Sequence, residues 1–255
     1  LEDGITFTNS EPINITGHSL ELTFNGGWIF GTPGSQGTTT TLDAPINITN
    51  SSGIITFNNI IFGASALFTI NGSNNVFING TSGSDTIQIT LAGTSASAVT
   101  VNGGGGGDAV TVDFSGTAGN KTVHASSTGG SGTDTITVNG SGTFNVTTAL
   151  IASGSDSVDG LSGFETKTLN GTGTDTLVGP ASSTYSLTGS KAGSVAGINF
   201  ASIETITGGA GTLASPAAGA SYALSGNNAG TVLDIGFTNI NTITGSAGTD
   251  TIVSP

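Results

Sequence analysis

The chain has no cysteine, no methionine and no arginine, one tryptophan and three lysines in 255 residues. Without cysteine there is no disulfide framework and no thiol chemistry. Charged residues make up 7% of the chain, too few to furnish the polar faces of amphipathic helices, so a helical protein is excluded. Sixteen acids against three lysines give a net charge of −13. Nucleic acid and anionic membrane surfaces are bound through basic patches, so neither is an expected partner. No apolar run approaches membrane-spanning length, so membrane insertion is not expected. A chain that opens at Leu1 and lacks methionine is expected to be a processed product or an excised segment, with any signal peptide or anchor lying outside it.

What the chain does have is 43 glycines and many Ser, Thr and Asn residues, with 35% apolar residues set in alternating runs. Disorder would need far less apolar content. Ile13-x-Ile15, Leu20-x-Leu22-x-Phe24, Ile87-x-Ile89-x-Leu91, Val110-x-Val112-x-Phe114 and Ile136-x-Val138 have the period of strands with one apolar face.

Internal repeats decide how such strands are covered. EPINITGHSLELTFNGGWIFG (11 to 31) returns as APINITNSSGIITFNNIIFG (44 to 63), Phe24 mapping to Phe57 and Trp28 to Ile60 or Ile61. YSLTGSKAGSVAGINFASIETITG (185 to 208) returns 37 residues later as YALSGNNAGTVLDIGFTNINTITG (222 to 245). Between them, Gly-x-Asp-x-apolar steps recur at Asp85, Asp108, Asp134, Asp156 and Asp175. One alternating strand cannot bury its own apolar row, whereas stacked coils cover one another through parallel ladders about 4.8 Å apart. The expected fold is all-β, a right-handed parallel β-helix or β-solenoid of stacked short strands. Coils of about 20 residues would give a rod of roughly 60 Å at that spacing. Its zones are N-terminal coils with a 33-residue repeat over 1–80, Gly/Asp-corner coils over 81–170 and 37-residue repeats over 171–255, in one continuous solenoid. A string of small sandwiches is the competing architecture, but adjacent units are shorter than a sandwich.

GGSGTDTIT (129 to 137) and GGGGGDAVT (103 to 111) fit the nonapeptide G-G-x-G-x-D-x-U-x, in which aspartate and turn carbonyls share calcium with the next turn. Calcium-binding rolls set such nonapeptides in tandem, while these stand 26 residues apart. GGAGTLASP (208 to 216) keeps the glycines and has Leu213 in the aspartate position, which favours a structural corner with an Asx-type cap. If calcium binds, Asp108 and Asp134 are the candidates. No other cofactor is expected.

A β-helical lyase needs a base and cations to neutralise uronates; here Lys121, Lys167 and Lys191 fall in three different units and there is no arginine. A glycosidase needs two carboxylates flanking a bond. The only close pairs in the body of the chain are Asp156 with Asp159 and Asp108 with Asp113. No catalytic residue is assigned. His18 and His124 are expected to be exposed coil residues, Trp28 a core or end-cap residue, and Tyr185 and Tyr222 packing residues. Nine N-x-[ST] sequons occur, among them Asn120 and Asn170, as chance supplies in so polar a chain. TTTTL (38 to 42) hints at the flat threonine rows of an ice-binding face, but no face-wide ladder follows.

The 37-residue units, with G-x-G-x-D-x-L, Y-x-L-x-G, A-G-x-V, a Phe and I-E-T-I-T-G-G, resemble the β-strand repeats of giant bacterial surface proteins in which RTX-like and adhesin repeats mix. The I-N-I-T and L-x-F-N-G-G coils are similar to the β-helical shafts of filamentous-haemagglutinin-like adhesins and autotransporter passengers. The resemblance implies a secreted or cell-surface protein, extracellular, whose repeats form a rigid stalk or adhesive fibre, and it transfers no catalytic residue. Expected partners are the chain itself, end to end, and surface glycans or neighbouring cells. A carbohydrate-binding or polysaccharide-degrading β-helix is the alternative.

Overall fold

The computed structural model describes residues 80–93, 96–117, 120–127 and 132–254, together with the strands that precede residue 80. His18 and residues 129–131 of the first nonapeptide lie outside the described residues. The chain is all-β, built of many short strands in mostly parallel ladders compatible with a β-solenoid. The only helical element among the described residues is the 3-10 turn Leu161–Gly163. Two compact units form, Leu1–Val138 with Ser155–Thr166, and Asn139–Gly154 with Lys167–Pro255. The Gly/Asp zone expected over 81–170 is thus shared between them.

In the first unit one parallel ladder runs through Thr6–Phe7, Trp28–Phe30, Ile54–Phe57, Asn75–Asn79, Ser97–Asn102, Lys121–Ser126 and Asp156–Asp159. A second runs through Leu20–Phe24, Ile46–Asn50, Leu67–Gly72, Thr86–Gly93 and Ala109–Thr117. Asn14–Thr16, Thr40–Asp43 and Ile60–Phe62 make a third. The alternation read from the sequence places identical faces in register. Phe57, Ile78, Val101 and Ala125 follow one another along the first ladder, with Val76, Val99, Val123 and Val158 beside them, and all are buried. Phe68, Ile89 and Val112 do the same along the second ladder, where Phe68 meets Phe57 edge to face, ring centroids 5.1 Å apart. Burying each such side chain is worth about 1.5–3 kcal/mol, so the stack supplies the covering that no single strand has.

The register departs from the sequence alignment in this unit. Trp28 lies opposite Ile55 and Phe30 opposite Phe57, while Ile60 and Ile61 pair with Thr40 and Thr41. Similar sequences therefore mark successive copies but not ladder neighbours, because one copy is longer than one coil.

The second unit also stacks in parallel: Thr143–Val146, Thr176–Val178, Thr205–Ala214 and Ile235–Thr244 follow one another. Each 37-residue copy adds an antiparallel meander that the expected all-parallel helix lacks. Thr184–Gly189, Ala192–Val195 and Ile198–Ala201 form one, and Ser221–Gly226, Ala229–Val232 and the start of Ile235–Thr244 the other. The cause is local. Ala196 and Gly197 (φ 53° and 77°), like Leu233 and Asp234 (φ 49° and 60°), hold the two consecutive left-handed residues of a two-residue hairpin. Gly193 lies opposite Phe200 and Gly230 opposite Phe237, and a Cβ on either glycine would come within 2.7 and 2.8 Å of the ring. Each Phe ring lies across a bare glycine, a cross-strand pairing that fixes register.

The stretch 208–216 keeps a turn, since residues 205–207 pair with Thr176–Val178 and residues 212–214 with residues 184–186 on either side of a register break, but Leu213 itself lies in a strand. Residues up to Ala214 belong to the strand Thr205–Ala214, with a bulge at Gly209 and Ala210 (φ 54° and 64°). Leu213 is fully buried between Tyr185 and Ile243 in register.

Candidate functional site

The aspartate steps build one repeated device, a carboxylate rung. The N–H of Asp85 donates to Oδ1 of Asp108 at 2.9 Å, and that of Asp108 to Oδ1 of Asp134 at 2.8 Å. The N–H of Asp134 donates to Oε2 of Glu165 at 2.7 Å. In return the residue after each acid donates to the backbone carbonyl below: Ala109 to Asp85, Thr135 to Asp108 and Thr166 to Asp134. Elsewhere in this unit Lys121 N–H donates to Asp156 Oδ1 at 2.8 Å. The second unit repeats the device with Gly142 to Asp175 (2.6 Å), Asp175 to Glu204 (2.8 Å) and Ala220 to Asp250 (2.9 Å). Each acid thus closes the gap where a coil turns into its strand, a place where backbone N–H groups would otherwise lack partners.

The glycine pattern follows from the same geometry. The carboxylate folds back over a glycine four or five residues earlier. A Cβ on Gly80 would lie 2.8 Å from Asp85 Oδ2, one on Gly171 2.5 Å from Asp175 Oδ2 and one on Gly245 2.9 Å from Asp250 Oδ2, and one on Gly103 would fall onto the Asp108 carboxylate. Second oxygens are held locally: Asp85 Oδ2 accepts from Thr81 N–H (2.7 Å) and its hydroxyl, Asp175 Oδ2 from Gly173 N–H (2.9 Å), and Asp134 Oδ2 from the Ser127 hydroxyl.

Asp85, Asp108, Asp134, Asp156 and Asp175 are all buried. Asp85 Oδ1 and Asp108 Oδ2 are buried without a hydrogen-bond partner. Burial, with the charges of Asp85 and Asp134 adding to it, pushes the Asp108 carboxyl above its ordinary range against the Asp85 N–H bond. Burial also raises Tyr185 and Tyr222 and lowers Lys121, the last opposed by Asp156. Glu204 falls below its ordinary value: burial alone would raise it, but the Asp175 N–H and the Lys191 ammonium at 3.0 Å outweigh that.

The calcium candidates Asp108 and Asp134 are brought onto adjacent rungs, where each spends an oxygen on a backbone N–H. Calcium takes six to eight oxygens. Among the described residues no group of three or more acidic, histidine or cysteine side chains is placed to hold a metal ion. Of the close acid pairs, Asp156 and Asp159 face apart: within Asp156–Asp159 burial alternates, so Asp156 faces inward while Asp159 is drawn outward to His124 Nδ1 at 2.8 Å. His124 is exposed, and Tyr185 and Tyr222 are packing residues, as expected.

Glu165 and Glu204 serve as rung acids outside the Gly-x-Asp pattern, and a recurring dipeptide marks most rungs. Asp85, Asp134, Glu165, Asp175, Glu204 and Asp250 are each followed by Thr. Comparison with protein-family models, with curated proteins and with solved structures finds no match.

Proposed function

We propose that this chain is a structural segment of an extracellular or cell-surface protein, a right-handed β-solenoid acting as a stalk or as a self-assembling filament or surface-layer subunit, without catalytic activity. The observation that carries the reading is where the rung acids go. Their carboxylates accept backbone N–H groups of the neighbouring coil, so the chemistry available to them is spent on stacking. A carboxylate with that duty is not placed to flank a scissile bond.

Negative-stain microscopy of the purified chain, with and without a calcium chelator, tests it. Straight particles or fibres of uniform width, unchanged by the chelator, are expected. Compact monomers at high concentration would overturn it.

Carbohydrate binding on the same scaffold has one feature in its favour, an open cleft of about 750 Å³ lined in part by Lys191, Glu204, Ser221 and Asp234. It presents no aromatic ring among its lining residues, and Lys191 and Glu204 satisfy each other.

A further inference from the structure

The two 37-residue copies allow a comparison of one surface covered and the same surface bare. In the first copy Leu187 and Ile206 are buried, 3% and 0% exposed. Their equivalents in the second copy, Leu224 and Ile243, are half-exposed, although Val195 and Val232, Phe200 and Phe237, and Ile203 and Ile240 are buried alike.

What covers Ile206 and its strand in the first copy is the second copy. Phe237 lies beside Ile206 in register, Ile243 beside Leu213, and Ile240 sits where a Cβ on Gly208 would be. The hairpin tip reaches down as well: Lys191 N–H donates to Leu233 O at 2.9 Å and the Ser190 hydroxyl to Asp234 Oδ2 at 2.6 Å.

The second copy keeps the receiving surface. Leu224, Phe237, Ile240, Ile243 and Ile252 line a groove of about 290 Å³, and Ile252 and Val253, 59% and 53% exposed, are the exposed large apolar residues among those described. Asn228 and Asn241 replace Lys191 and Glu204 and keep their contact, Nδ2 to Oδ1 at 2.9 Å against 3.0 Å for the ion pair.

We propose that this groove and the edge of Thr251–Val253 receive a further repeat of the same 37-residue type, stacked in parallel as the second copy stacks on the first. The inference rests on the structural reading above and names the partner for one face of it. The occupant's chemistry is fixed by the existing interface: a Phe to lie beside Ile243, an apolar residue over Gly245, and a two-residue hairpin whose carbonyl accepts the Asn228 N–H.

The chain carries a natural splice point for the test. G-T-D-T-[LI]-V-x-P occurs at 173–180 and again at 248–255, and at the first site it leads through 181–184 into Tyr185. Residues 181–221 copied after Pro255 therefore rebuild a native junction. A shuffled version of the same segment is the control.

Hydrogen exchange by mass spectrometry is the readout. Amides of 242–244 and 251–253 should slow at least tenfold with the copied segment and stay unchanged with the shuffled one. Leu224→Asp, at a half-exposed position, should abolish the slowing in the extended chain and leave the exchange of 185–208 as it was. Equal exchange in copied and shuffled chains overturns the proposal. So does slowing of the same amides in the unextended chain as its concentration rises, lost in Leu224→Asp, since the face would then belong to a second copy. Docking of the added repeat without fibres in micrographs would leave the inference standing and remove the filament reading. Fibres that form while copied and shuffled chains exchange equally would keep the filament reading and remove the inference.

Discussion

The backbone N–H of Asp108 points at Oδ1 of Asp134 on the next coil, 2.8 Å away, while Asp108 itself receives the N–H of Asp85. One residue type thus serves as donor below and acceptor above, and the rung propagates. It explains why a chain with few charges still buries five aspartates. A buried carboxylate is tolerated where hydrogen bonds replace its lost water.

Asp108 and Asp134 should respond differently to substitution. Asp108→Asn retains an oxygen for the Asp85 N–H and removes a buried charge whose Oδ2 lacks a partner, so it should cost little or stabilise. Asp108→Ala strands that N–H and should cost about 1–3 kcal/mol. The wild type has a pH signature too. A carboxyl raised in the folded state holds its proton more tightly there, so its contribution is complete below the unfolded pKa and is lost as pH rises through the folded one. Urea titrations from pH 3 to 8 should show Asp108→Asn gaining on the wild type toward the upper end. A constant gap across that range would refute the assignment.

Glu204 carries the opposite sign. Its pKa is held below the ordinary value, so it stabilises above the unfolded pKa and that contribution is lost as pH falls through the folded one. Glu204→Gln keeps an oxygen for the Asp175 N–H but loses the attraction to Lys191, and should flatten the acid side of the stability profile. The Lys191 pair is partly exposed, so about 1 kcal/mol is the most it should contribute. Thermal melts at low and high salt would separate the two parts, and an unchanged acid limb would count against the role given to Glu204.

Two neighbouring glycine substitutions form a matched test of the rung. Gly103→Ala drives a methyl into the Asp108 carboxylate and should cost at least as much as Asp108→Ala, while Gly83→Ala meets only the Thr81 hydroxyl at 3.7 Å. A difference of roughly 1–3 kcal/mol in denaturant stability is expected from forced overpacking. Equal effects would mean that glycine serves chain freedom in these corners and not the close approach.

Alternation made the strands and their inward faces legible, because period two survives without any knowledge of partners. Register was not legible. Ile206 aligns with Ile243 by sequence, yet its ladder neighbour is Phe237, and Ile243 sits beside Leu213. The repeat counts residues per copy, whereas the ladder counts residues per coil, and hairpins such as Ala196–Gly197 lengthen one without the other. The acids were half legible. Their spacing marks corners, but a pattern built on aspartate leaves out Glu165 and Glu204, which reach the same N–H position with one more methylene. The hairpins were missed because Ala196 and Leu233 adopt left-handed conformations that neither residue advertises.

Leu213 shows how far a motif can mislead. The nonapeptide pattern puts an aspartate at that position, and a corner would accept one. In the strand it fills the core between Tyr185 and Ile243, fully buried. Leu213→Ala should cost about 2–5 kcal/mol for the cavity it leaves. Leu213→Asp should cost more, since it adds a buried carboxylate to that cavity, and in the structure Tyr185 Oη is already engaged by Gly179 N–H (2.7 Å) and Thr207 O (3.1 Å). Calcium should not rescue it. Melting of both variants with and without millimolar calcium decides the point: an aspartate variant that matched the wild type, or that recovered with calcium, would make position 213 the carboxylate position that the sequence pattern suggests.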